Sequence, residues 1–133
     1  KGNKTFSDVL KDILDTPVSP ELLPPTDGKI SQVTEDLVGP YELHDFYLYY
    51  LLRFGFSPAK IFYLAQKSGL PYDKETMLKW LKTFYRRFFS QQFKRSCMPD
   101  GAKVGTVNLS PRGDWRMPSD AMVSVWMAEV DSL

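Results

Sequence analysis

Basic side chains are concentrated in one quarter of this chain, between residues 86 and 116. Seven lysines and arginines lie there against two acids, a local net charge of +5, whereas all 133 residues together carry +1. Lysine offers a compact point charge to a phosphate, and arginine offers a planar fork that matches its oxygens. The composition therefore predicts recognition of an anion. The basic residues are Arg86, Arg87, Lys94, Arg95, Lys103, Arg112 and Arg116.

The same region is rich in turn-forming residues, so a long loop is expected here. Prolines and glycines recur from position 99 to position 113, and a long basic loop in a small domain is typically functional or mobile. Asp114 and Trp115 lie between Arg112 and Arg116. Asp114 can accept hydrogen bonds from a ligand or pair with either arginine, and Trp115 offers a stacking or packing surface. A solvated loop with local ion pairs is the simpler alternative.

Complete catalytic constellations are missing from the sequence. Neither a G-x-x-x-x-G-K-[ST] nor a G-x-G-x-x-G phosphate loop is present. The one cysteine, Cys97, has no neighbouring histidine to activate it, and the one histidine, His44, is interpreted as a structural residue. A single cysteine also excludes an internal disulfide and fits a reducing compartment. No apolar run reaches the roughly 18 residues of a membrane span.

Helical periodicity predicts a mostly α-helical fold. A short helix is expected over residues 7–15, with Ser7 as its N-cap, and an irregular segment over 22–39. The helix predicted over 40–55 is apolar nearly all round, which indicates a central position in the fold. A third helix, over 58–69, follows after a short turn.

The longest predicted helix begins after Asp73, which serves as its N-cap. Its apolar stripe recurs at three- and four-residue steps and comprises Met77, Leu81, Phe84 and Phe88. Its opposite face carries the basic residues Lys79, Lys82, Arg86 and Arg87. A last helix is expected to be capped by Ser119 or Asp120, and the weak alternation at 104–109 predicts a short extended piece.

Three blocks, 31–46, 49–65 and 88–120, cover most of the chain after residue 12. The third block is the most specific, because it contains Q-F-K-R-S at 92–96 and L-S-P-R-G-D-W-R at 109–116. Together the blocks resemble the C-terminal part of the synthetase domain of glutamine-dependent NAD(+) synthetases.

That resemblance implies a fold and an activity. Residues 1–133 would form the mostly α, C-terminal portion of a Rossmann-like α/β domain of the adenine nucleotide alpha hydrolase type. Such ligases adenylate nicotinic acid adenine dinucleotide (deamido-NAD) with ATP, and ammonia released from glutamine then displaces AMP to give NAD. ATP and Mg²⁺ are the implied cofactors of the intact enzyme, and deamido-NAD and glutamine are its other implied partners. A cytoplasmic homo-oligomer that binds neither nucleic acid nor a membrane is implied as well.

The resemblance also assigns residues. The segment 92–113 is implied to be a mobile loop that closes over the dinucleotide, with Lys94 and Asp114 in contact with deamido-NAD. Arg95 and Arg112 are further candidates for phosphate contacts. Weaker candidates for contacts with ATP or magnesium are Lys29, Glu35 and Asp36.

Two parts of a whole enzyme of this kind are missing from the 133 residues: the S-G-G-x-D-S loop that grips ATP and the glutaminase domain. The isolated chain is therefore expected to be inactive and to bind no cofactor. The alternative is a stand-alone helical module that captures nucleic acid or another polyanion. It predicts salt-sensitive binding of oligonucleotides by this chain.

Overall fold

The computed structural model describes residues 5–16 and 34–133, and the chain divides into two units, Lys1–Leu37 and Val38–Leu133. The described residues form seven helices and no strand, so the prediction of a mostly α-helical chain is confirmed. None of these helices is long and apolar enough to cross a bilayer. The helices are α1 (Phe6–Leu14), α2 (Thr34–Val38), α3 (Tyr41–Phe54), α4 (Pro58–Lys67), α5 (Lys74–Ser90), α6 (Gln92–Ser96) and α7 (Ser124–Asp131).

The N-cap of helix α1 in the first unit lies two residues earlier than predicted. The Thr5 hydroxyl accepts a hydrogen bond from the Asp8 backbone N–H at 3.3 Å, and the Asp8 carboxylate accepts one from the Thr5 N–H at 3.0 Å. This reciprocal capping box makes Thr5 the N-cap, and the prediction of Ser7 was wrong. The segment 22–39 was predicted to be irregular, yet its residues 34–38 form α2. Residues 22–33 lie outside the described residues.

The second unit is organised around α5, which contacts α3, α4, α6 and α7. Burying each large apolar side chain contributes about 1.5–3 kcal/mol to the free energy of folding. The buried face of α5 therefore stabilises the packing of several helices against it. Helix α3 has only two buried residues, Leu43 and Tyr47, so the prediction that α3 is central was wrong. The buried residues of α5 are Met77, Leu81, Phe84, Tyr85, Phe88 and Phe89.

The predicted boundaries of α3 and α4 are confirmed to within one or two residues, and the predicted start of α5 after Asp73 is confirmed as well. Gly55 ends α3 in the left-handed conformation, at φ 63°. Pro58 opens α4 at a first-turn position after Ser57. The Asp73 carboxylate accepts a hydrogen bond from the Thr76 N–H at 2.6 Å and caps α5.

Helix α7 begins at Ser124, so the prediction that Ser119 or Asp120 caps it was wrong. Those two residues belong to a turn in which the Ala121 N–H donates to the Pro118 carbonyl at 3.2 Å. The α7 N-cap makes no side-chain hydrogen bond, and contacts with distant residues hold the helix instead. The Glu129 carboxylate, for example, accepts a hydrogen bond from the Ala59 N–H at the start of α4, at 2.9 Å.

Gly39 sits at a close approach between the entry to α3 and the indole of Trp80. Its backbone has φ +97°, and a β-carbon built on it would lie 2.3 Å from Cδ2 of Trp80. Gly55 also has a positive φ, of +63°, but no atom lies within 4 Å of the corresponding position. A side chain at Gly55 would therefore meet backbone strain alone, whereas one at Gly39 would meet both backbone strain and steric overlap.

We expect Gly39→Ala to lower the free energy of unfolding by about 2–5 kcal/mol, because a left-handed backbone strain and a displaced indole add together. Gly55→Ala carries the strain alone and should cost about 1–2 kcal/mol. Urea denaturation of both variants measures the difference. Equal losses would show that the Trp80 contact contributes nothing.

Candidate functional site

A cavity of about 360 Å³ lies between α3 and the carboxyl end of α5, with α6 along one side. We call it the α3–α5 cavity. Its walls are largely apolar, and most of its polar groups are charged. The lining residues are Val38, Tyr41, His44, Asp45, Leu48, Phe84, Arg87, Phe88, Gln91, Lys94, Arg95 and Leu109.

Positive charge prevails in this cavity. Arg87, Lys94 and Arg95 line it, against one carboxylate, that of Asp45. None of the three cations has an ion-pair partner among the residues that the structure describes. An excess of positive charge beside mainly apolar walls makes the cavity a candidate site for an anion.

Arg95 is bound within the protein on several sides. Its Nε donates to Oε1 of Gln92 at 2.9 Å, its Nη2 donates to the carbonyl of Phe88, and its guanidinium carbon lies 4.4 Å from the centre of the Phe88 ring. Partial burial lowers the pKa of the Arg95 guanidinium. Gln92 is itself buried and donates to the Met117 carbonyl at 3.0 Å. Arg95 and Gln92 thus tie α6 to the end of α5 and to the chain at Met117.

His44 is a structural residue of the cavity wall. Its Nε2 and the Val38 carbonyl are 2.5 Å apart, which makes the ring nitrogen the donor, and its ring packs at a tilt on Phe84 with 5.8 Å between centres. Among the described residues no group of three His, Cys, Asp or Glu side chains gathers around a common point. The interpretation of His44 as a structural residue agrees with both observations.

Asp114 lies at a second cavity of about 270 Å³, which we call the Asp114 cavity. Its carboxylate pairs with the Lys103 ammonium at 2.5 Å, and both side chains are partly exposed. The sequence left open a pairing with Arg112 or Arg116, and the structure gives Lys103 instead. The residues lining this cavity are Leu52, Arg53, Lys103, Thr106, Val107, Asn108, Asp114 and Trp115.

Trp115 uses its ring for packing inside the protein. The ring meets Phe88 edge-on, with 5.5 Å between centres. Its Nε1 is buried, and no described residue accepts its hydrogen bond. Of the two uses that the sequence suggested, stacking on a ligand or packing, the structure favours packing.

The other predicted residues lie apart from these two cavities or outside the described chain. Arg112 pairs with Asp100 at 3.0 Å and donates to the Met98 carbonyl at 2.5 Å, so it links two points of the loop. Glu35 and Asp36 lie in the first turn of α2 and are exposed. Lys29 falls outside the described residues.

The structure therefore brings Lys94 and Arg95 together but separates Lys94 from Asp114, which lines the other cavity. The segment 92–113 does not begin as a loop, because its first five residues form α6. Arg87 also lines the α3–α5 cavity, although the sequence was interpreted to place it on the opposite face of α5. The sequence did contain a signal for this position: Arg87 follows Phe84 by three residues, and residues three apart share a helix face.

Comparison with known proteins shows which class of proteins this chain resembles. Over nearly all of its length the chain is similar to glutamine-dependent NAD(+) synthetases, so the resemblance found in the three sequence blocks is confirmed. The relative from Mycobacterium leprae is 42% identical over 92% of this chain, and those from Mycobacterium bovis and Mycobacterium tuberculosis are 41% identical over 93%. This chain spans 21% of the length of each of these relatives. No family model matches it.

The contacts of Arg95 predict a structural role that Lys94 does not share. We expect Arg95→Gln to lower the free energy of unfolding by about 1–2 kcal/mol, because hydrogen bonds from a charged donor to Gln92 and Phe88 are lost. Lys94→Gln should change stability by less than about 0.5 kcal/mol, since Lys94 is exposed and without an ion pair among the described residues. Chemical denaturation measures both variants, and an Arg95→Gln variant as stable as the original chain would contradict this role.

Proposed function

We propose that this chain is part of a ligase that amidates deamido-NAD to NAD, using ATP and ammonia derived from glutamine. The observation that carries the proposal is the 41–42% identity, over more than nine tenths of this chain, to proteins named glutamine-dependent NAD(+) synthetase. Within that enzyme the chain would contribute the segment 92–113 and the helices that support it. The reaction would need groups supplied by other parts of the protein.

The proposed reaction has two steps with different demands. First, a carboxylate oxygen of deamido-NAD attacks the α-phosphorus of ATP, an acyl–phosphate anhydride bond forms, the bond from the α-phosphorus to the bridging oxygen breaks, and pyrophosphate leaves. Then the nitrogen of ammonia attacks the acyl carbon, AMP leaves with the carboxylate oxygen, and a proton lost from the nitrogen completes the amide. Charge develops on the departing pyrophosphate, and the acyl-adenylate hydrolyses if water reaches it. Cations and a cover that excludes water therefore assist the reaction.

Lys94 fits the first of these demands. It lies on α6 against the mainly apolar α3–α5 cavity and has no ion-pair partner among the described residues. A lysine in such a place can offset the charge of a phosphate group without first leaving another partner. We assign Lys94 a contact with the dinucleotide or with the reacting phosphates.

Asp114 and Arg112 fit a segment that exchanges internal contacts for ligand contacts. Their ion pairs, with Lys103 and Asp100, join side chains that are 42–85% exposed. Exposed pairs of this kind contribute at most about 1 kcal/mol, so a nucleotide could replace them at low cost. Asp114 would then meet deamido-NAD as the segment closes.

ATP and Mg²⁺ complete the proposal for the intact enzyme, which we take to be a cytoplasmic homo-oligomer. Glu35 remains a candidate contact for ATP or magnesium, together with Asp36 in the same turn of α2. Because the described residues gather no cluster of three metal-ligating side chains, no step of the reaction is assigned to a metal held by this chain.

In the complete enzyme, Lys94→Ala should lower kcat for NAD formation about 100-fold, because a charged donor to the reacting phosphates is removed. Release of glutamate from glutamine should be unchanged. The matched control is Lys67→Ala, since Lys67 lies at the end of α4 with its Nζ 6.0 Å from the Tyr63 ring and lines neither cavity. Equal NAD formation by the Lys94 variant and the control would exclude the proposed contact.

The 133-residue chain alone should form no NAD from ATP, Mg²⁺, ammonia and deamido-NAD. The reason is that the ATP-gripping S-G-G-x-D-S motif is absent from its sequence. Chromatographic detection of NAD over several hours provides the measurement. Turnover by these residues alone would mean that the catalytic groups lie within them.

A further inference from the structure

We infer that Arg87 is an anion-binding residue of the α3–α5 cavity and that, with Lys94, it holds a phosphate group of a bound nucleotide. The inference deepens the proposed function and rests on it for the identity of the nucleotide. Sequence patterns placed Arg87 with the solvated basic face of α5. In the structure, Arg87 instead lines the α3–α5 cavity.

The geometry of α5 separates Arg87 from its neighbour Arg86. Consecutive residues of an α-helix point about 100° apart, whereas residues three or four apart share a face. Phe84, Arg87 and Gln91 follow that spacing, and all three line the cavity. Arg86 is not among the lining residues and is exposed. Two adjacent arginines therefore serve two different surfaces.

Arg87 keeps its hydrogen-bond donors available. It forms no ion pair within the part of the chain that the structure describes, and its side chain is exposed at the cavity. Arg95, by contrast, donates from Nε and Nη2 to Gln92 and Phe88. A planar guanidinium with uncommitted donors suits two oxygens of one phosphate, so Arg87 is better placed than Arg95 to bind it.

The cavity has the size and walls to hold a phosphate together with the nucleoside attached to it. Its volume of about 360 Å³ lies at the small end of the range of about 300–1,000 Å³ for ligand pockets. The mainly apolar walls can accept the apolar part of a nucleoside, and the Asp45 carboxylate can accept hydrogen bonds from a sugar. One nucleotide half of a dinucleotide is thus the expected occupant.

A purely structural role for Arg87 makes a different prediction. Arg87 lies in the last turn of α5, where a positive charge also favours the carboxyl end of the helix dipole. Loss of that interaction would change the stability of the chain and leave the affinity for nucleotides unchanged. Measuring both quantities on the same variants separates the two roles.

The test compares Arg87→Gln with Arg86→Gln, because the two arginines are adjacent on the same helix. In the complete enzyme, Arg87→Gln should raise KM for deamido-NAD about 10- to 100-fold, whereas Arg86→Gln should change it less than about twofold. Arg87→Lys should recover part of the loss. Thermal unfolding should give the same Tm within about 2 °C for all three variants. An unchanged KM in Arg87→Gln, or an equal rise in Arg86→Gln, would overturn the inference.

A second measurement separates this inference from the proposed function. Titration calorimetry of the complete enzyme with AMP should give saturable binding, weakened about 10-fold or more by Arg87→Gln and kept by Arg86→Gln. If the complete protein forms no NAD but this pattern of AMP binding holds, the proposed function fails and the anion site stands. If NAD forms normally while Arg87→Gln alters neither KM nor AMP binding, the function stands and the site is refuted.

Discussion

The burial of one aromatic face of α5 is the constraint on which the rest of the second unit depends. Helices α3, α4 and α7 all pack against α5, and its buried face extends to Phe88 and Phe89, within two residues of its end at Ser90. Phe88 shows the connection most directly. Its ring meets Phe84, Phe89 and Trp115, and its carbonyl and ring both hold Arg95. The core and the cavity therefore share Phe88, which belongs to both.

Five basic residues of this region fall into three groups with different chemistry. Lys103 and Arg112 have exposed ion-pair partners, and Arg95 is partly buried with several acceptors. Arg87 and Lys94 have no ion pair among the described residues. Exposed pairs exchange readily for a ligand because water already screens them. The contacts of Arg95 do not exchange readily, since breaking them would leave buried polar groups without partners. Net charge alone does not reveal this division.

Much of the helical architecture was predictable because the signals that mark helix ends are local. Pro58 occupies a first-turn position, Gly55 supplies a left-handed C-cap, and Asp73 caps α5 through a residue three positions away. The start of α7 was mispredicted because no such signal marks it. Its position depends on contacts such as that between Trp126 and Phe89, whose rings lie 4.7 Å apart, and these partners are far apart in sequence. For the same reason periodicity did not show that α5, and not α3, is the central helix.

The sequence by itself determined that the chain is helical, that its cations gather between positions 86 and 116, and that its motifs resemble those of an NAD(+) synthetase. These properties follow from local backbone preferences and from residue types. Only the tertiary structure decided which cations are available and which cavity each one lines. The physical reason is that availability depends on acceptors contributed elsewhere in the fold, as Asp114 does for Lys103 and Asp100 for Arg112. Folding, and not composition, leaves Arg87 and Lys94 facing a common cavity.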